Sequence, residues 1–150
     1  MTVLSSQSPV ARRLAPLAAL GLGAVCVVHL IDGPGSLTDQ FYVGALELAL
    51  AAACLPLAIL LLIRPLPVLW STALALNLAG LLVFVASRTV GLPGSTDDIG
   101  NWGQTLGIVS VIAEGGVIVT AAAALGRRLI SLSLLLNHDA QGVTHALTVH

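Results

Sequence analysis

The sequence contains no lysine and little charge of any kind: six arginines and seven acidic residues make 9% of its 150 positions charged and leave a net charge of −1. Without a basic face there is no electrostatic footprint for nucleic acid, and no acidic tail is present either. Only two cysteines occur, Cys26 and Cys54. Both fall inside apolar segments with no CxxC or other metal spacing, which reads as helix packing rather than chemistry. GxSxG, HExxH and phosphate-binding loops are also absent, so hydrolytic chemistry has no motif to stand on. What is present is apolar: 57% hydrophobic residues and a mean hydropathy of +1.00. A soluble domain of this length needs more polar residues to cover its surface, so the composition belongs to the membrane class.

Four runs, 14–31, 41–63, 68–86 and 106–125, each approach the roughly 20 residues that a helix needs to cross the hydrocarbon core. They predict an all-α, up-down bundle of four transmembrane helices over residues 1–128. Pro56 lies inside the second run and is expected to kink that helix rather than end it. Under four crossings Arg12, Arg13, Arg64, Arg127 and Arg128 fall on one side, which the positive-inside rule assigns to the cytoplasm with both termini. The outer loops, 32–40 and 87–105, then carry Asp32, Asp39, Asp97 and Asp98 against Arg88 alone. Arginine as the only fixed cation, with abundant Ala, Leu, Gly and Val, suggests a high-GC bacterial genome and places the protein in a bacterial cytoplasmic membrane.

Arg12-Arg13 before an apolar run resembles the start of a signal peptide, but no A-x-A site follows and Val25 before Cys26 spoils a lipobox, so the first helix is expected to remain uncleaved. Residues 129–150 form a cytoplasmic tail, apolar at first and then polar, that either extends the fourth helix or lies on the inner membrane surface. Its histidines, His138, His145 and His150, have no ligand spacing and read as solvated.

The first outer loop reads Pro34-Gly35-Ser36-Leu37-Thr38-Asp39 and the second Pro93-Gly94-Ser95-Thr96-Asp97-Asp98. Each precedes an aromatic residue, Tyr42 or Trp102, and a helix holding one Glu. The pattern fits a parallel repeat about an axis along the membrane normal, or else ordinary turn chemistry used twice.

Glu47 and Glu114 stand inside apolar segments. A carboxylate in hydrocarbon costs several kcal/mol unless it is paired, hydrated or neutralised, so each marks a candidate site. Gly103, Gly107, Ser110 and Glu114 recur at intervals that share one helix face, and Asn77, Phe84 and Arg88 share another. By the rise per residue Glu47 lies roughly 9 Å and Glu114 roughly 13 Å below the outer helix ends. His29, Glu47, Asn77 or Arg88, and Glu114 then form one polar layer in the outer half of the membrane, and with Asp32, Tyr42, Trp102 and Ser110 they make up a candidate ligand or ion-pair cluster. The inner half is almost purely apolar, which favours an outward-facing pocket over a pore. One expectation is that Arg88 pairs with Glu47 or Glu114 and His29 with the other carboxylate, locking the helix order.

Ser87-Arg88-Thr89-Val90-Gly91-Leu92-Pro93-Gly94, with Trp102 and Glu114 downstream, resembles an S-R-T-x-G-L-P-G motif of small actinobacterial integral membrane proteins. In those proteins a His ends the first helix and a Tyr-x-Gly opens the second, as His29 and Tyr42-Val43-Gly44 do here. The resemblance covers residues 25–125. It implies topology and habitat and carries no mechanism.

Three functions compete. A small chain with short loops suits an accessory or scaffold subunit that contacts lipid and other membrane subunits, or copies of itself. His29, Glu47 and Glu114 offer a nitrogen and carboxylate oxygens to a divalent transition metal or small ligand. Haem held by two histidines is nearly excluded, because only His29 lies in a membrane helix. A titrating carboxylate fits a proton-coupled transporter acting as an oligomer.

Overall fold

Each of the four apolar runs forms one helix. The computed structural model describes residues 9–147, with side chains described to residue 127. Its elements are α1 (Pro9–Asp39), α2 (Phe41–Ile63), α3 (Pro67–Thr89) and α4 (Thr105–Leu147). All four are long and apolar enough to cross a membrane, α4 through its Thr105–Arg127 part. The chain is a small multi-pass, four-helix membrane protein. The α1–α2 and α3–α4 connections share one end, called distal here.

Small residues at helical spacing bring the helices together. Ala11, Ala15, Ala18, Leu22 and Val25 of α1 are buried along one stripe, facing Ala51, Cys54, Ala58 and Leu61 of α2 and Val117, Ala121 and Ala124 of α4. Lipid tails are as apolar as these side chains, so close van der Waals packing rather than a hydrophobic drive holds such seams. Gly21 shows how close α1 and α4 come, because a β-carbon there would lie 2.7 Å from Val117 Cγ2. Cys26 and Cys54 are free thiols buried in this core. α1 packs on α2 and α4, α3 packs mainly on α4, and α2 and α3 touch only lightly.

The prolines act differently from one another. Pro67 occupies the first position of α3, where its missing N–H is one no helix start would use. Pro56 sits inside α2, which continues through it to Ile63. Pro34 sits inside α1, and the segment 32–40 expected as a loop is instead two more helical turns, leaving Gln40 as the turn before α2. At 31 residues α1 is about 46 Å long, well beyond the roughly 30 Å of hydrocarbon. Gly44 permits this, since a β-carbon there would come within 2.7 Å of Gly33 O, so the distal end of α1 crosses the start of α2 almost backbone to backbone.

The second connection is a loop. Gly91, Gly94 and Gly100 adopt φ of 79°, 75° and 80°, a region that favours glycine. Leu92 and Ser95 exchange backbone hydrogen bonds at 2.8 Å in both directions. The two Pro-Gly-Ser segments therefore differ in structure, one helical and one looped, and do not form equivalent hairpin tips. α4 runs past residue 125 to Leu147, so the tail continues that helix, with His138 and His145 inside it and His150 outside the described residues.

Candidate functional site

Between the distal halves of the helices lies a cavity of about 640 Å³, lined by all four helices and by the second connection. The extra turns of α1 contribute directly to it. His29, Asp32, Ser36 and Asp39 follow one another by three, four and three residues, so they share a helix face, and all four line the cavity. Tyr42 and Glu47 line it from α2, Arg88 from α3, Asp98 from the loop, and Ser110 and Glu114 from α4. The walls between these groups are apolar, including Val28, Leu46, Leu50, Leu76, Val83 and Phe84.

Glu114 is only 1% exposed. Ser110, one turn earlier, donates its hydroxyl to Glu114 Oε1 at 3.2 Å. His29 Nε2 stands 3.4 Å from the same oxygen and 3.4 Å from Ser110 Oγ. Glu114 Oε2 and His29 Nδ1 have no hydrogen-bond partner. This cluster differs from a nucleophile–base–orienter triad, in which the two ring nitrogens separate the hydroxyl from the acid. Here one nitrogen faces both. Gly80 of α3 makes room for the carboxylate, because a β-carbon there would lie 2.8 Å from Glu114 Oε1.

Arg88 is 5% exposed and takes partners other than the expected ones. Its guanidinium forms an ion pair with Asp98 and donates through Nη2 to Gln104 Oε1. It also stacks over Phe84, with Cζ 5.0 Å from the ring centroid, in cation–π geometry. Its ion-pair partner comes from the loop, ten residues along the chain, so the expected Arg88 pairing with Glu47 or Glu114 is replaced by a local one. Glu47 meets the cavity with Oε2 buried and unpartnered.

The loop is fastened over the distal end. Tyr42 donates its hydroxyl to Pro93 O at 2.7 Å, Gln40 Nε2 donates to Gly94 O, and Trp102 packs edge-on against Phe84 at 6.2 Å between ring centroids.

Seven of the nine residues of the candidate cluster line the cavity: His29, Asp32, Tyr42, Glu47, Arg88, Ser110 and Glu114. Asn77 and Trp102 do not. Asn77 is fully buried and donates to Ala73 O in its own helix at 2.8 Å, while Trp102 braces the loop. The sequence reading missed Ser36 and Asp39, because Pro34-Gly35 reads as a turn, and it missed Asp98 and Gln104 as the partners of Arg88. It also passed over Gly80. The α1 pair was detectable from its helical spacing with His29 and Asp32. Gly80 carries no sequence signal. Among the described residues, no group of three or more His, Cys, Asp or Glu side chains is placed to hold a metal ion.

Searches against protein-family models, curated proteins and solved structures found no match to this chain.

Proposed function

We propose that this protein is a membrane-embedded binding module whose distal cavity receives a small organic ligand. The observation that carries the reading is the cavity itself. Its volume of about 640 Å³ falls within the roughly 300–1,000 Å³ typical of small-molecule pockets. It also has the mixture such sites use, apolar walls with a few convergent polar groups. The absence of a three-ligand metal cluster among the described residues favours a molecule with a body to bury over a bare ion. The Arg distribution supports a distal end facing the outside of a bacterial cytoplasmic membrane, and the almost purely apolar opposite half supports binding without a continuous path across.

The test is native mass spectrometry and thermal unfolding of the purified protein in nanodiscs against a panel of small apolar, cationic and anionic molecules. A saturable ligand that stabilises the protein, and that is lost on filling the cavity with Leu50→Trp, supports the reading. A panel in which no molecule behaves this way rejects it.

A second reading, an accessory subunit of a larger assembly, draws support from α4. Ile112 and Val119 are 70% and 68% exposed, and nothing approaches within 4 Å of a β-carbon built at Gly115 or Gly116 between them. Such a face admits a neighbouring helix at close range. Gly116→Leu should then release a co-purifying membrane protein or break an oligomer. A protein that is monomeric and partnerless before the substitution rejects this second reading.

A further inference from the structure

The chemistry of the cavity wall narrows the class of ligand. The lining holds five carboxylates, Asp32, Asp39, Glu47, Asp98 and Glu114, against one guanidinium, Arg88, and one imidazole, His29. Arg88 is paired with Asp98 and Gln104, although its Nε has no hydrogen-bond partner. Four carboxylates then remain, with a single titratable nitrogen among them. An anion entering this space meets like charge at several points, and the one fixed cation already holds a carboxylate partner. A cation meets its complement, and the low-dielectric surroundings strengthen that attraction.

A second observation is independent of the charge count. Glu114 is 1% exposed, yet its Oε2 has no hydrogen-bond partner, and Glu47 Oε2 is likewise buried and unpartnered. A buried carboxylate oxygen left without a donor is costly, and both of these residues line the same cavity. The walls add a requirement of their own. Leu46 and Val83, which line the cavity from α2 and α3, are 58% and 43% exposed, so apolar side chains at the bundle surface form part of its wall. A ligand held against such a wall needs an apolar body to match it.

We infer that the cavity binds lipophilic organic monocations, with the positive centre between Glu47 and Glu114 and the apolar body against α2 and α3. This rests on the reading of the cavity as a ligand site and adds the sign of the charge. No bond is made or broken. The carboxylates stand where the hydration shell of the cation would be, and the aliphatic walls receive the groups that carried it into the membrane.

The experiment uses two ions of nearly equal size and shape and opposite fixed charge, tetraphenylphosphonium and tetraphenylborate. Binding is measured by equilibrium dialysis against the full-length protein in nanodiscs, with empty nanodiscs subtracted. The expected result is saturable binding of tetraphenylphosphonium that weakens at least tenfold in Glu47→Gln and in Glu114→Gln and disappears in Leu50→Trp, with no saturable tetraphenylborate. The Gln variants keep side-chain shape. Leu50→Trp keeps both carboxylates, and a cooperative thermal transition in nanodiscs is required of each variant before its binding is compared. Saturable binding of tetraphenylborate, abolished by Leu50→Trp, overturns the charge assignment and leaves the ligand site standing. Cation binding that neither Gln variant changes places the ion elsewhere and overturns the inference. Saturable binding of neither ion overturns it as well, and the broader ligand panel then decides whether the site itself survives.

Discussion

Gly80 of α3 and Glu114 of α4 are matched across the helix interface: a methyl group on Gly80 would stand 2.8 Å from the carboxylate oxygen Oε1 and 3.2 Å from Leu50 Cδ2. The glycine is thus what lets a buried carboxylate fit between α2, α3 and α4. Gly80→Ala gives the helix a better former but forces Glu114 aside, away from Ser110 and His29. Overpacking of this kind costs about 1–3 kcal/mol, against a helix-propensity gain of about 1 kcal/mol. The expected outcome is net destabilisation in a denaturant titration, with Gly80→Leu worse. A Gly80→Ala protein more stable than the parent would show that Glu114 does not occupy this space.

The Arg88 partnership gives a contrast between variants. Because the guanidinium pairs with Asp98 rather than with Glu47 or Glu114, Asp98→Ala leaves a buried cation short of its charge partner. Glu47→Gln leaves that pair intact. Removing one member of a buried ion pair costs about 3–5 kcal/mol. The carboxylate of Asp98 is 45% exposed, so solvent reduces that figure to about 1–2 kcal/mol. Thermal unfolding should rank Asp98→Ala well below Glu47→Gln. The reverse order would return Arg88 to the intramembrane carboxylates.

These two cases show what was legible in the sequence. Four helices followed directly from apolar run length, and the polar half of the bundle followed from where Glu47, Glu114, His29 and Arg88 fall along those runs. The partners did not follow. Arg88 lies at the end of a helix beside a loop whose glycines turn it back, and residue spacing along α3 cannot show that Asp98 returns to the guanidinium. The end of α1 was misjudged for a related reason. Pro34-Gly35 is turn chemistry by composition, but close packing of Gly33 and Gly44 holds those residues helical and carries Ser36 and Asp39 onto the cavity face. Tertiary contact overrode local preference there.

Orientation in the membrane is open to a direct check. With Cys26 and Cys54 replaced by alanine, Asp97→Cys should label with an impermeant maleimide on intact cells, and Ser5→Cys only after permeabilisation. That outcome follows from the arginines at the opposite end. Labelling of both positions from one side would remove the four-crossing topology and the outward direction of the cavity with it.

Ligand binding as proposed requires a reachable, negatively charged cavity between the distal halves of the helices. Ser110, 5% exposed and beside Glu114, is the position to interrogate. In the cysteine-free background, Ser110→Cys should react with a methanethiosulfonate that carries an ethylammonium group at least tenfold faster than with its ethylsulfonate counterpart. Leu50→Trp should block both reactions. That preference for the cationic reagent is expected in the folded, membrane-reconstituted protein. A thiol inert to both reagents until denaturation, or one that reacts with both at equal rates, would contradict it.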